Sequence, residues 1–92
     1  MAYSLPLPRK YRQWKVKIRD RETVEPPHVT FLRRTEAWRL NLRSGEFMDP
    51  EPDPDEVPLD LLRFVREHWN DLQDAWDDMY PDNPIESDDE VE

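Results

Sequence analysis

The side chain best suited to chemistry at neutral pH is His28, which follows Pro26 and Pro27 and opens a β-branched and aromatic run, Val29-Thr30-Phe31-Leu32. An imidazole titrates near neutrality and can act as general base or general acid. Two prolines restrict the backbone that leads to it. Arg33, Arg34 and Arg39 follow closely. The reaction this group could perform is cleavage of a ribose-phosphate backbone, with His28 near a 2′-hydroxyl and an arginine stabilising charge at phosphorus. No second proton-transfer group is identifiable. A histidine that hydrogen-bonds the preceding loop and locks the start of its strand accounts for the same residues, so we expect a binding protein rather than an enzyme. A second chemistry is open to Lys15 and Lys17 together with Arg33, Arg34 and Arg39, because closely spaced cations displace counterions from nucleic acid.

Other sites are excluded or weak. The chain has no cysteine, which removes disulfide scaffolds, thiol catalysis and cysteine-based metal sites. It has no glycine-rich phosphate loop and no paired-histidine motif, so nucleotide-binding folds and zinc hydrolases are set aside. The acidic runs at 49–57 and 86–92 lack the glycine and ligand spacing of a calcium loop. We therefore expect no metal and no cofactor. His68, off the main apolar stripe of a helix, reads as a boundary residue. Trp14, Trp38, Trp69 and Trp76 could stack bases, but their spacing places them in the core, which a chain of 92 residues needs for its buried area. Tyr11, among Arg9, Lys10 and Arg12, is the aromatic expected to lie exposed on a basic patch.

These residues must be positioned by few elements. From Gln13 to Arg19 apolar Trp14, Val16 and Ile18 alternate with Lys15, Lys17 and Arg19, the pattern of a half-buried strand. His28 to Leu32 and Ala37 to Arg43 read as two further strands, with a glycine turn at Ser44-Gly45 and a short edge strand at Glu46-Phe47-Met48. Alternating prolines and carboxylates at 49–57 form an extended spacer. From Pro58, apolar residues at Leu62, Val65, Trp69, Leu72, Trp76 and Met79 define an amphipathic helix ending before Pro81, with Asp55 or Glu56 at the positive end of its dipole. The expected architecture is α+β: a three- or four-stranded antiparallel sheet packed against one long C-terminal helix, with a disordered acidic tail. Residues 1–12 form an extended lead-in anchored by Tyr3 and Leu5, residues 13–80 a single domain with its helix at 58–80, and residues 81–92 the tail.

Charge divides along the chain. Residues 1–43 carry 11 basic and 4 acidic side chains, a net of +7, and residues 44–92 carry a net of −16, which together give −9. The basic half is either a phosphate-binding face or a face covered by the chain's own acidic helix and tail. A third reading makes the acidic tail a nucleic-acid mimic or a lure for a basic partner. No run approaches the roughly 20 apolar residues of a membrane span, and no signal-peptide core opens the chain, so we expect a cytoplasmic protein with no membrane contact.

The stretch Glu25-Pro26-Pro27-His28-Val29-Thr30, followed by Trp38-Arg39-Leu40-Asn41-Leu42, Ser44-Gly45-Glu46-Phe47, Val57-Pro58 and Trp76, resembles the small bacterial proteins grouped as domain of unknown function 4160. The resemblance covers roughly residues 14–80. It implies a small partner protein encoded alongside, in a pair of toxin–antitoxin type with this domain as the toxin. Many members carry a second histidine where this chain has Thr30, so no histidine pair is implied, and the acidic spacer and tail exceed the family pattern. The expected function is an interaction module of such a pair that binds a protein partner through a sheet edge or the acidic tail. The alternative is an RNA-directed toxin, cleaving or binding RNA with His28 and the basic strand face.

Overall fold

The computed structural model describes residues 3–19 and 26–85. Among the described residues the chain forms four strands and two α-helices: β1 (Tyr3–Ser4), β2 (Trp14–Ile18), β3 (His28–Arg33), β4 (Glu36–Asn41), α1 (Leu59–Glu67) and α2 (Trp69–Met79). The strands make one antiparallel sheet in the order β1-β2-β3-β4. The expected α+β architecture is present, and alternation drives it. Trp14, Val16 and Ile18 on β2, Val29 and Phe31 on β3, and Trp38 and Leu40 on β4 are all buried and share one face by register. Leu61, Val65, Leu72 and Trp76 from the helices complete that core.

Several expectations are corrected. The fourth strand comes from the lead-in, where Tyr3 pairs with Ile18 and Ser4 with Lys17. Glu46-Phe47-Met48 makes only an isolated bridge, Leu40 with Phe47. The spacer is not uniformly extended: Asp53 accepts a hydrogen bond from the Asp55 amide and starts a 3₁₀ turn at Pro54–Glu56. It also packs inward, since Val57 is buried and the Trp38 indole donates to the Asp53 carbonyl at 3.0 Å.

The long helix is broken into two. At His68 (φ −111, ψ 23) the ring Nδ1 takes the Phe64 carbonyl at 3.0 Å, and the His68 amide turns to Val65 at 3.0 Å instead. A side chain inserted in the i to i−4 ladder interrupts a helix in this way. The buried stripe is also narrower than the expected one. Leu61, Val65, Leu72 and Trp76 become fully buried, while Leu62, Trp69 and Met79 are only partly buried against the core. Asp60, rather than Asp55 or Glu56, occupies the first turn of α1.

Residues 81–85 are docked, so the expected disordered segment at 81–92 is corrected over its first five positions. Ile85 is buried, its amide donates to Asp77 Oδ1 at 2.8 Å, and the Trp76 indole donates to the Asn83 carbonyl at 2.7 Å. The Arg43 guanidinium donates to the Ile85 and Pro84 carbonyls at 2.8 and 2.6 Å. The expected disorder of the remainder of the tail lies outside the described residues, as does the loop at 20–25. Gly45 takes φ +77 as the turn requires, and the Arg66 guanidinium donates to its carbonyl at 3.0 Å.

Candidate functional site

Register divides the candidate residues between the two faces of the sheet. Lys17, Thr30 and Arg39 form one row across β2, β3 and β4, and Lys15, Leu32 and Ala37 form the next. By alternation this is the face opposite the one that carries Trp14, Val16, Phe31 and Trp38. His28 belongs to it too, opposite Asn41. Arg33 belongs to the core face, opposite Trp14 and Glu36.

His28 is completely buried. Pro26 is exposed and Pro27 buried, and together they deliver the chain to the first residue of β3, where the Pro27 carbonyl accepts from the Leu42 amide at 2.8 Å. The His28 Nδ1 lies 2.8 Å from the Pro26 carbonyl. A carbonyl can only accept, so Nδ1 carries the proton. In the neutral ring that leaves Nε2 as the basic nitrogen, and Nε2 is buried. The ring packs against Trp76 of α2, centroids 5.7 Å apart. Trp76 in turn stacks on Tyr80 at 4.2 Å, whose hydroxyl donates to the Arg19 carbonyl. His28 thus ties the start of β3 to α2 and the end of β2. His68 repeats the device, with Nδ1 on the Phe64 carbonyl and its ring 4.5 Å from that of Phe64.

The arginines named with His28 do not gather around it. Arg33 stands five residues along the strand, about 17 Å away at 3.4 Å per residue, and on the other face. Its guanidinium lies 5.0 and 5.2 Å from the rings of Trp14 and Trp38 and donates to Glu36 at 2.8 Å and Glu56 at 3.1 Å. It therefore caps the tryptophan pair. Arg34 is exposed in the β3–β4 turn with φ 57. Arg39 alone shares the face of His28. It holds Asp49 through two hydrogen bonds, 2.8 and 2.7 Å, the forked geometry that makes such pairs strong. This keeps the Asp49 carboxyl below its ordinary range, chiefly through the Arg39 hydrogen bonds, against a smaller opposing effect of burial and with a further small lowering from His28.

The lysines differ. Lys15 is exposed and Lys17 half-buried, and among the described residues neither has a carboxylate partner. They border a groove of about 400 Å³ between the lead-in and β2, lined also by Arg9, Arg12, Tyr11 and Trp14. Tyr11 does not stand out on a basic patch as expected. It is buried and lines the groove. Arg9 and Arg12 were not among the residues singled out for function, although Pro6 and Pro8 beside them, which lack amide donors, mark where the β1–β2 ladder stops. Asp49 was also missed, because its spacing within an acidic run carries no sign that it alone turns back onto the sheet.

Among the described residues no cluster of three His, Asp or Glu side chains could hold a metal, and no helix is long and apolar enough to cross a membrane. No family model, curated protein or solved structure matches the chain.

Proposed function

We propose that this protein is a non-catalytic interaction module that binds a small protein partner, as one half of a bacterial pair of toxin–antitoxin type in the cytoplasm. The observation that carries the reading is the burial of His28, whose Nδ1 is committed to the Pro26 carbonyl. A general base must come within hydrogen-bond reach of the proton it removes, and a ring sealed behind Trp76 has no such access to a solvent-borne 2′-hydroxyl. The resemblance of the Pro-Pro-His segment and its flanking landmarks to domain of unknown function 4160 supports the pair and the bacterial setting.

The test is co-expression with the small protein encoded beside it, followed by sizing of the purified complex. A complex of fixed stoichiometry that survives high salt is expected, since apolar interfaces are little screened. RNA cleavage by the purified chain that disappears in His28→Gln, with the variant folded, would overturn the reading in favour of an RNA-directed toxin. A second reading, RNA binding without cleavage, is favoured by Lys15 and Lys17, whose charge no carboxylate among the described residues neutralises.

A further inference from the structure

We propose that the groove between the lead-in and β2 is a phosphate-binding site for single-stranded RNA that holds the backbone and does not read the bases. The inference deepens the second reading, RNA binding without cleavage, and rests on it; it is independent of the protein-partner reading.

The sequence builds the groove directly. β1 and β2 pair at Tyr3 with Ile18 and Ser4 with Lys17, and the Leu5 amide reaches Val16 at 2.9 Å. In the same register Pro6 would come opposite Lys15, but it has no amide to donate, and the ladder ends there. The chain then leaves β2 and returns through the 3₁₀ turn Arg9–Tyr11. Between the two lies the groove of about 400 Å³, with Arg9 and Arg12 on the turn and Lys15 and Lys17 on the strand. Arg9, Arg12 and Lys15 are exposed and Lys17 is half-buried. The lysines, two residues apart on a strand, stand about 7 Å from one another, so the wall presents cations in series and suits a ligand with anions in series.

The chain's own acids indicate which anion. Of the 22 Asp and Glu residues, 14 lie among the described residues, tethered to the groove and therefore at high effective concentration. They reach Arg33 and Arg39, and Asp60 comes within 3.6 Å of Lys10, the neighbour of Arg9. Among the described residues none lines the groove. The described carboxylates that form ion pairs do so with Lys10, Arg33 and Arg39, none of which lines the groove. Four cations with no described carboxylate among them repel one another, and consecutive phosphates relieve that repulsion while releasing counterions. Base readout is not available here. Tyr11 is 6% and Trp14 9% exposed, with Lys10 over the ring of Tyr11 and Arg33 and Trp38 against that of Trp14, so they offer no stacking platform.

The experiment is fluorescence polarisation of a labelled mixed-sequence single-stranded RNA with the full chain across a salt series. Binding is expected in the nonspecific range of roughly 10⁻⁴–10⁻⁶ M, with a log–log salt slope of about −2 to −3, since each phosphate contact in a single strand contributes roughly 0.7. Arg12→Gln with Lys15→Gln should weaken binding about tenfold or more and flatten the slope by about 1.4, and Arg9→Gln with Lys17→Gln should do the same. Arg63→Gln, an exposed change on α1, should leave both unchanged. Circular dichroism of each variant checks that it folds. The proposal is overturned if the wild type does not bind RNA, if both double variants bind as the wild type does, or if a glutamate peptide of equal length binds as tightly, which would make the occupant an acidic protein segment. A chain that forms its protein complex yet ignores RNA sinks this inference together with the RNA-binding reading, whereas RNA binding unchanged in both double variants sinks the groove alone. One that binds RNA but forms no complex sinks only the protein-partner reading.

Discussion

The two sides of the sheet treat their cations differently. On β3 and β4, Arg33 and Arg39 are matched to acids of the same chain and spend their donors on structure, one capping the Trp14–Trp38 pair and the other pinning Asp49. On β2 and the lead-in, Arg9, Arg12, Lys15 and Lys17 face a groove that no described carboxylate enters. The contrast is one of geometry as well as charge. The acidic spacer follows β4 directly and runs past Arg39, Trp38 and Arg33, whereas β2 is separated from it by the rest of the sheet. The matched side should therefore answer substitution in stability, and the open side in binding.

The largest effect should come from Trp76, which is fully buried between His28 and Tyr80 and holds the docked segment through Asn83. Trp76→Ala should cost about 3–5 kcal/mol, a large share of the stability a small domain has, and should abolish or sharply lower the cooperative thermal transition followed by circular dichroism. A variant that melts like the wild type would show that α2 is not what seals this side.

His28→Ala should cost about 2–3 kcal/mol, from the cavity and the lost bond to Pro26. That is a fall in Tm of roughly 4–8 °C per kcal/mol for a domain of this size. RNA affinity measured well below the transition should not change. Unchanged stability together with lost RNA cleavage would instead make the histidine a chemical group.

A smaller effect belongs to Arg39 and Asp49, whose side chains are about one-third exposed. Arg39→Gln, Asp49→Asn and the double variant should give a coupling of about 0.5–1 kcal/mol. The pH dependence follows from the lowered carboxyl of Asp49. A carboxylate stabilised in the folded state contributes fully above its unfolded pKa, near 4, and loses that contribution as pH falls through the lower folded value. The wild type should therefore lose more stability than Asp49→Asn on acidification below about pH 4. Parallel acid curves would mean that the pair contributes nothing to folding.

Much of the sheet was legible because a period of two leaves little choice: Trp14, Val16 and Ile18 could share a face only if Lys15 and Lys17 took the other. The glycine turn was legible because Gly45 is the only glycine in the chain. The helix was legible as a stripe but not as two pieces, since the break depends on the His68 ring competing for the Phe64 carbonyl, and periodicity does not register such a contact. Ile85 looked isolated in an acidic run because the bonds that dock it come from Arg43 and Asp77, remote or polar residues that no apolar pattern flags. The grouping of His28 with Arg33 and Arg34 failed to appear in space for a simple reason. Proximity in sequence becomes distance along an extended strand, and an odd separation sends a side chain to the opposite face.

Arg34 sharpens the comparison with the smallest effect. It is the cation of the β3–β4 side that no described carboxylate pairs, it sits at the tip of the hairpin, and its φ of 57 is one that L side chains adopt at a cost. Glycine removes that cost but loses more freedom on folding, so the two contributions partly cancel. Arg34→Gly should raise stability by about 0.5 kcal/mol, seen as a small upward shift in the midpoint of a urea titration with an unchanged slope. If RNA contacts are confined to the groove, the same variant should keep the wild-type affinity and salt slope, although it removes a positive charge from an acidic protein. A slope that flattens by about 0.7 would place a phosphate at the hairpin tip and extend the binding surface across the sheet to the side that otherwise neutralises itself.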